Sequence, residues 1–246
     1  MKLIKLDAID STNDFLKALS SRDELDNFTV VTAENQTKGK GQMGAKWESE
    51  SGKNLIMSAL VKDFLYDNEQ VFNLSLIVSL SVIDALKTLN IPDLSIKWPN
   101  DIMSYNKKIG GILIENTLKS DGRIVSVVGL GLNVNQTNFE ELPNASSLAV
   151  ISGHTFDKEL LPALIIEKIQ QKIDSWESNS AVFWSEYFNS LFRKGIPMPF
   201  KNLNTEVFGQ NFMGIIQGVS SVGKIQILLE DDSVSEFDIK EVQMLY

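Results

Sequence analysis

Cysteine is absent from the 246-residue chain, and histidine occurs only once, as His154. The lack of cysteine excludes disulfides, thiolate zinc sites, iron–sulfur clusters and a cysteine nucleophile. A single histidine excludes a metal site built from several histidines. Basic residues are outnumbered, with 23 Lys and Arg against 32 Asp and Glu, so the formal net charge is −9. This balance argues against a protein that coats nucleic acid or an anionic membrane.

Long apolar runs are also missing. The longest uncharged run covers residues 124–139 and contains two glycines and several polar residues. A membrane-spanning helix needs about 20 mostly apolar residues, so the sequence predicts none. Asp7 and Asp10 lie where a secretory leader would need its apolar stretch. We therefore expect no leader and a cytoplasmic location.

Apolar spacing and turn residues divide the chain into strands and helices. The predicted strands cover 2–6, 28–33, 55–61, 94–98, 101–105, 108–118 and 123–134, and the predicted helices cover 12–20, 70–90 and 157–192. Short turns between the strands of 94–134 predict antiparallel pairing. Beyond Pro197 only short strands follow, at 205–209, 211–219, 223–231, 233–239 and 241–245. The pattern predicts an α+β domain over 1–194 and a small SH3-like β-barrel over 195–246.

A glycine-spaced loop follows the second predicted strand. Residues 39–44 read Gly-Lys-Gly-Gln-Met-Gly and fit the letters of a dinucleotide-binding fingerprint. That fingerprint needs a helix at its third glycine, whereas here a polar loop continues to residue 54. The glycines still permit close backbone approach to a ligand, the lysines offer charge to phosphate, and Trp47 offers a flat apolar face. A solvated loop without function is the alternative.

Four further clusters combine polar side chains with glycines or turns. They are Ser11-Thr12-Asn13 at a predicted helix start, Lys97-Trp98-Pro99-Asn100-Asp101 at a strand end, Lys107-Lys108-Ile109-Gly110-Gly111, and Gly129-Leu130-Gly131-Leu132-Asn133-Val134-Asn135. Each has a purely structural interpretation, respectively a helix cap, a β-turn, a surface lysine and a close-packed strand. A lysine beside two glycines, and amides after small residues, are equally suited to contact a ligand.

Taken together and in order, these clusters resemble motifs of the biotin protein ligase family. The KWPND and KKIGGIL motifs are the most specific, and the resemblance runs from Ser11 to the end of the chain. It implies an α+β fold like that of class II aminoacyl-tRNA synthetases, a mixed sheet with helices packed on it, plus a small C-terminal SH3-like barrel. Only ten residues precede Ser11, so the resemblance is to the class without an N-terminal DNA-binding domain, and no DNA partner is expected.

The family reaction implies two steps and assigns roles to residues. Biotin and ATP form biotinyl-5′-AMP, and a lysine of a biotin carboxyl carrier protein or domain then accepts the biotinyl group. The implied catalytic residues are Lys108, Asp101 and Asn100. The implied biotin-binding residues are Ser11, Thr12, Asn13, Gln36, Gly39, Lys40, Gly41, Trp47, Lys108, Gly111 and Gly131. The implied ATP or adenylate contacts are Lys40, Gln42, Lys46, Asn100, Lys108 and Asn133.

The resemblance also sets expectations for cofactors and partners. Mg²⁺ would arrive with ATP and be held through waters, without a metal site of the protein's own. Biotin, ATP and the carrier are the expected partners, a membrane is not, and homodimerisation stays open. Family loops usually read G-R-G-R-x-G-R, whereas here Gln42 and Ala45 replace arginines. A lipoate or octanoate ligase or transferase of the same fold is the alternative, and a non-catalytic biotin-binding regulator is the second.

Overall fold

The structure is a computed structural model that describes residues 2–67, 70–203 and 210–246. The predicted strand at 205–209 lies outside the described residues. The strands are β1 (Leu3–Ile9), β2 (Val30–Gln36), β3 (Leu55–Lys62), β4 (Leu94–Lys97), β5 (Asp101–Ser104), β6 (Lys107–Leu118), β7 (Ile124–Leu132), β8 (Pro197–Asn202), β9 (Asn211–Val219), β10 (Ile225–Leu228), β11 (Val234–Phe237) and β12 (Val242–Met244). The helices are α1 (Thr12–Arg22), α2 (Val71–Thr88), α3 (Leu148–Ser152), α4 (Leu161–Asp174) and α5 (Trp176–Asn189).

The first seven strands form one mixed sheet in the order β1-β2-β3-β7-β6-β5-β4. The strands from β4 to β7 pair antiparallel through their short connections, which confirms the pairing predicted from the turn residues. β1 and β2 pair parallel. A parallel pair needs a crossover connection, and α1 supplies it. The α+β class with a mixed sheet is therefore confirmed.

Helices cover both faces of this sheet. Because side chains alternate along a strand, Leu60 of β3 and Val127 of β7 point to one face, where they pack with Leu16 of α1. Ala59 and Val128 point to the other face and join the larger core under α2 and α4. The α1 face thus carries a small core at one end of the strands. The same face further along β3 and β7 carries Ser58, Gly129 and Gly131.

Helix α2 is long and apolar. By length and composition it could cross a membrane, but 61% of that stretch is buried inside the protein. A core helix packed between a sheet and other helices needs apolar residues around most of its circumference. Its hydropathy therefore follows from its position beneath the sheet.

The last five described strands form a second, antiparallel sheet in the order β11-β10-β9-β8-β12. The turn before β10 contacts the turn after β4, where Trp98 Nε1 donates to the carbonyl of Gly223 at 2.9 Å. Residues of the second sheet, including Phe200 and Ile216, belong to the same buried apolar cluster as the first. The division into domains at residues 194 and 195 and the SH3-like topology remain predictions.

Tyr187 of α5 has no exposed surface, and its hydroxyl has no hydrogen-bond partner among the described residues. Burial raises the pKa of this hydroxyl because it disfavours the charged form. A buried polar group without a partner costs about 1–3 kcal/mol. We expect Tyr187→Phe to leave the free energy of unfolding unchanged or to raise it by about 1 kcal/mol in urea denaturation.

The exposed Tyr66, whose hydroxyl donates to the carbonyl of Asp63 at 3.0 Å, provides the control. Tyr66→Phe should change the free energy of unfolding by less than about 0.5 kcal/mol, as is usual at the surface. A loss of more than about 1 kcal/mol in Tyr187→Phe would mean that the buried hydroxyl forms a bond that stabilises the fold.

Candidate functional site

A cavity of about 240 Å³ opens where the N-terminus of α1 meets the glycines of β6 and β7. Most of the residues that the sequence assigned to ligand binding or catalysis line this one cavity. They are Ser11, Thr12, Asn13, Gln36, Lys40, Gly41, Gln42, Lys46, Trp47, Asn100, Asp101, Lys108, Gly111 and Gly131. The chain therefore brings together residues that are up to 120 positions apart in the sequence.

One end of the cavity is uncharged and rich in hydrogen-bonding groups. Ser11 caps α1, as predicted, with its Oγ accepting from the amide of Asp14 at 3.4 Å. The amide of Thr12 and its hydroxyl both donate to Gln36 Oε1, at 2.7 and 3.0 Å. Ser58 Oγ lies 2.8 Å from Thr12 Oγ1. These groups are held in place before any ligand arrives, which lowers the entropy cost of binding.

Asn13 links this polar end to the sheet. Its Nδ2 donates to the carbonyl of Leu113 at 3.3 Å and to Glu115 Oε2 at 2.9 Å, and its Oδ1 lies 2.6 Å from Ser58 Oγ. A Cβ at Gly129 would lie 3.0 Å from Cγ of Asn13 and closer still to Oδ1. Gly129 is therefore required for this packing, and Asn13 supports the cavity wall while contributing to its lining.

The floor of the cavity is formed by glycines that face Trp47. A Cβ at Gly131 would lie 2.8 Å from Cδ2 of the Trp47 ring, and one at Gly111 would lie 3.4 Å from Cζ3. The indole Nε1 of Trp47 is buried and has no partner among the described residues. An unpaired buried donor is costly, so a ligand that accepts from this nitrogen would recover part of that cost.

The glycine-spaced loop forms a small hairpin at the cavity mouth. The amide of Gly41 donates to the carbonyl of Ala45 at 2.7 Å, and the amide of Trp47 donates to the carbonyl of Gly39 at 3.0 Å. Only a single 3-10 turn, Gln42–Gly44, lies between these bonds. No helix begins at the third glycine, which confirms that the loop is not a dinucleotide-binding fingerprint.

Lys40 extends from this hairpin to α1. Its Nζ bonds to the carboxylate of Asp14 at 2.7 Å, and this hydrogen bond raises the pKa of Lys40. Both side chains are about half exposed, at 47% and 48%. Such a pair contributes little to stability, so Lys40 can exchange Asp14 for an anionic ligand at small cost.

The other end of the cavity is charged. Lys108 Nζ lies 2.7 Å from Asp101 Oδ1, and Lys97 Nζ lies 3.4 Å from Asp101 Oδ2. Asn100 Nδ2 donates to the carbonyl of Ile112 at 2.7 Å, which fixes the turn before β5. Lys108 is also 5.8 Å from the centre of the Trp47 ring. With two lysines around one carboxylate, this end has a net positive charge and suits an anion.

Two predicted ligand residues lie outside the lining. Gly39 packs against the backbone of Trp47, where a Cβ would overlap the carbonyl oxygen. Asn133 is buried, and its Nδ2 donates to the carbonyl of Ser146 at 3.0 Å. The ATP or adenylate contact implied for Asn133 therefore remains a prediction.

Sequence reasoning missed Ser58 and Glu115, which hold Thr12 and Asn13 in place. Ser58 is the one hydroxyl in the apolar strand β3. A polar residue within a fully buried strand is a usable signal, because buried polar groups need a partner. Glu115 follows the KKIGGIL motif by two residues, but its partners Asn13 and Lys17 are about 100 residues away in the sequence.

Among the described residues, no three His, Asp or Glu side chains are grouped as metal ligands would be. Asp101 is the one carboxylate that lines the cavity within the described part of the chain, and two lysines already contact it. The cavity thus presents cations and amides. These groups suit the anionic and polar parts of an organic ligand.

Comparison with known proteins identifies the family. The Biotin/lipoate A/B protein ligase family matches residues 6–135, more than half of the chain. The chain belongs to this family. The matched segment contains the polar end of the cavity, the loop hairpin and the Lys108–Asp101 pair. The second sheet lies beyond the segment that defines the ligase family.

Named members of the family are similar over most of the chain. The bifunctional ligase/repressor BirA of Salmonella typhimurium is 29% identical over 231 residues, which cover 93% of this chain and 69% of that protein. The biotin–[acetyl-CoA-carboxylase] ligase of Mycobacterium tuberculosis is 27% identical over 225 residues, which cover 87% of this chain and 79% of that protein. The solved biotin protein ligase from Aquifex aeolicus in complex with biotin and ATP superposes with a TM-score of 0.79 at 29% identity, covering 99% of this chain and 98% of that one.

Proposed function

We propose that the protein is an ATP-dependent biotin protein ligase. It activates biotin as biotinyl-5′-AMP, releases pyrophosphate, and transfers the biotinyl group to a lysine of a biotin carboxyl carrier protein or domain. The observation that carries this proposal is a single cavity with an uncharged hydrogen-bonding end and a cationic end. Biotin has the complementary chemistry, since a neutral ureido ring and an anionic carboxylate are joined by an apolar ring and chain. Similarity to ligases solved with biotin and ATP supports the same assignment.

The polar end is assigned to the ureido ring. A ureido group presents one carbonyl acceptor and two N–H donors, so its site needs donors and acceptors close together. The hydroxyls of Ser11 and Thr12 can serve as either, and Gln36 already orients Thr12. These groups are buried or half-buried, which strengthens their hydrogen bonds to a neutral ligand.

Lys108 is assigned to the reacting groups. In the first step a carboxylate oxygen of biotin attacks the α-phosphorus of ATP, and the bond from that phosphorus to pyrophosphate breaks. Negative charge builds on the phosphoryl oxygens, and a fixed ammonium near them lowers the barrier. Asp101 holds Lys108 by its Oδ1 and so fixes the position of the ammonium. Mg²⁺ belongs to the substrate, as the Mg–ATP complex.

In the second step the neutral ε-amine of the carrier lysine attacks the carbonyl carbon of the adenylate. The bond to AMP breaks, an amide forms, and the amine loses a proton. Asp101 and Asn100 line the cavity at its charged end, where this amine must arrive. We assign them to orienting it. The identity of the carrier does not follow from the cavity, because the carrier binds outside it.

A lipoate or octanoate ligase is the alternative, and ligand preference distinguishes the two. Biotin at 100 times its Kd should stabilise the protein by about 2.7 kcal/mol, which for a chain of this size raises Tm by about 5–10 °C. Lipoate lacks a ureido ring and would leave the polar end unpaired, so its shift should be much smaller. Equal or larger shifts with lipoate would contradict the proposal.

Radiolabelled ATP tests the reaction itself and excludes a non-catalytic regulator. With [α-³²P]ATP and biotin, the protein should form labelled biotinyl-AMP and release pyrophosphate. Addition of a carrier domain should then release labelled AMP while biotin joins the carrier. Biotin binding without pyrophosphate release would favour the regulator.

Gln42 lines the cavity at the place where the family pattern has an arginine, and we expect a faster escape of the adenylate as a result. An arginine binds phosphate through two charge-assisted hydrogen bonds, whereas an amide donates one ordinary bond. Lys38, Lys40 and Lys46 could compensate in part, but a flexible lysine holds a phosphate less rigidly than the two-pronged contact of an arginine. We predict that Gln42→Arg slows dissociation of preformed biotinyl-AMP about fivefold to thirtyfold, or about 1–2 kcal/mol. Stopped-flow mixing with excess unlabelled biotin measures this rate.

Met43→Arg is the matched control, because it adds the same charge to the same turn. Met43 is 58% exposed and does not line the cavity. Met43→Arg should change the rate of biotinyl-AMP dissociation by less than about twofold, because an exposed charge is screened by water. An unchanged or faster rate in Gln42→Arg would show that other groups hold the phosphate.

A further inference from the structure

Lys97 lies between the Lys108–Asp101 pair and the second sheet. It stands opposite Asp101 in the β4–β5 ladder. Asp101 gives one oxygen to each lysine, Oδ1 to Lys108 at 2.7 Å and Oδ2 to Lys97 at 3.4 Å. The side chains of Lys97 and Asp101 are only 19% and 14% exposed. One carboxylate cannot neutralise two ammonium groups, so Lys97 gains from a further partner that presents partial negative charge.

The ring of Tyr246 supplies that partner. Lys97 Nζ lies 4.7 Å from the centre of this ring, within the range of a cation–π interaction. The ring packs edge-on against Phe192, with centroids 5.2 Å apart, and the neighbouring amide of Leu245 donates to the carbonyl of Pro199 of β8 at 3.0 Å. The second sheet and the segment beside β4 therefore hold the ring on the ammonium.

We infer that Tyr246 is a positioning residue for adenylate formation. Its ring fixes Lys97, and Lys97 holds Oδ2 of Asp101 so that Oδ1 faces Lys108. The inference rests on the proposed function for the meaning of that geometry. Tyr246 does not line the cavity and should touch no substrate. Its loss should lower kcat of adenylation and leave the KM for biotin nearly unchanged, because other elements form the polar end of the cavity.

The test compares Tyr246→Leu with the conservative Tyr246→Phe in steady-state pyrophosphate release. Tyr246→Leu should lower kcat about threefold to tenfold, which is the range of a partly buried cation–π interaction, with the KM for biotin within about twofold. Tyr246→Phe keeps the ring face and should restore the wild-type rate. Phe192→Leu removes the edge contact alone, while the bond from Leu245 to Pro199 still keeps the ring on Lys97, so kcat should stay within about twofold. If Phe192→Leu is as slow as Tyr246→Leu, or Tyr246→Phe fails to rescue, the role is packing alone and the inference is overturned.

A double-mutant cycle tests whether Tyr246 acts through Lys97. Lys97→Met removes the ammonium, while Asp101 keeps Lys108 as its partner. In that background Tyr246→Leu should have no further effect on kcat, because interacting residues are not additive. If the losses of kcat caused by Lys97→Met and Tyr246→Leu instead multiply in the double variant, the inference is overturned.

A readout without turnover separates this inference from the proposed function. In free protein carrying ¹³Cε-lysine, the Lys108 signal, identified from Lys108→Arg, should move in Tyr246→Leu and stay in place in Tyr246→Phe. If the Lys108 signal does not move in Tyr246→Leu, the coupling of Tyr246 to Lys108 is overturned, whatever the rate of pyrophosphate release. Absence of pyrophosphate release in the wild type, together with a shifted signal, would instead overturn the proposed function and support the coupling.

Discussion

Lys108→Ala is expected to lower the rate of biotin-dependent pyrophosphate release by about two orders of magnitude or more, roughly 3 kcal/mol of transition-state stabilisation. The ammonium of Lys108 is the cation at the charged end of the cavity that bonds to Asp101 at 2.7 Å. A fixed cation next to the phosphoryl oxygens contributes most when charge develops there, so kcat should fall more than the affinity for biotin.

The variant should fold. The Lys108 side chain is 35% exposed, and Asp101 keeps Lys97 as a partner, so no carboxylate is left buried and unpaired. Lys107→Ala provides the matched control, since Lys107 is the adjacent, exposed lysine and bonds to the carbonyl of Pro143 outside the cavity. It should retain the wild-type rate. Pyrophosphate release by Lys108→Ala within about threefold of wild type would remove Lys108 from the catalytic role.

Gly131→Ala is expected to weaken biotin binding at least tenfold, about 1.4 kcal/mol. Gly131 is paired on both sides, with Ile56 of β3 and Gly111 of β6, so its backbone cannot retreat. The new methyl group would overlap the ring of Trp47, which must then move away from the glycine floor. Because that ring forms one wall of the cavity, its displacement removes apolar contact with the ligand and opens the site to water.

Isothermal titration with biotin measures this loss, and tryptophan fluorescence reports the displaced ring. Gly218→Ala is the control, because it also lies within a strand and its Cβ would meet only ordinary contacts, 3.4 Å from Gln226 and 3.5 Å from Phe188. It should bind biotin as the wild type does. A Kd for Gly131→Ala within twofold of wild type would show that the floor does not need glycine there.

The sequence predicted the strands of 94–132 well, because turn residues and alternating apolar positions act locally. It missed β8, whose residues read Pro-Met-Pro-Phe-Lys-Asn. Proline lacks an amide donor and is rare within sheets. Here Pro197 and Pro199 both face outward, while Met198 and Phe200 are buried. The alternation was present in the sequence, but the prolines concealed it.

The predicted helical region 157–192 is confirmed as two helices, α4 and α5, which meet at Ser175. The pairing of β1 with β2 was not predictable from either strand, since parallel pairing depends on how α1 crosses the sheet. The short helix α3 was missed because five residues give too little apolar spacing to detect.

The candidate site also divides into features encoded locally and features set by the packed fold. Fourteen residues that the motifs named line one cavity, because each motif keeps its own turn or strand end. The contacts of Ser58 with Thr12, of Glu115 with Asn13, and of Tyr246 with Lys97 join distant elements. Only the packed fold sets such contacts. The sequence therefore predicted which groups line the cavity better than which groups hold them in place.

The apolar core that continues from the first sheet into the second has a consequence for how the protein denatures. Phe200 and Ile216 belong to the same buried cluster as the residues beneath α2 and α4. If the second sheet came away, this shared apolar surface would enter water, at about 25 cal/mol for each Å² exposed. Unfolding of the second sheet alone is therefore unfavourable, and we expect the two sheets to unfold in a single cooperative thermal transition. The Lys108–Asp101 pair would then lose its geometry only when the whole chain unfolds.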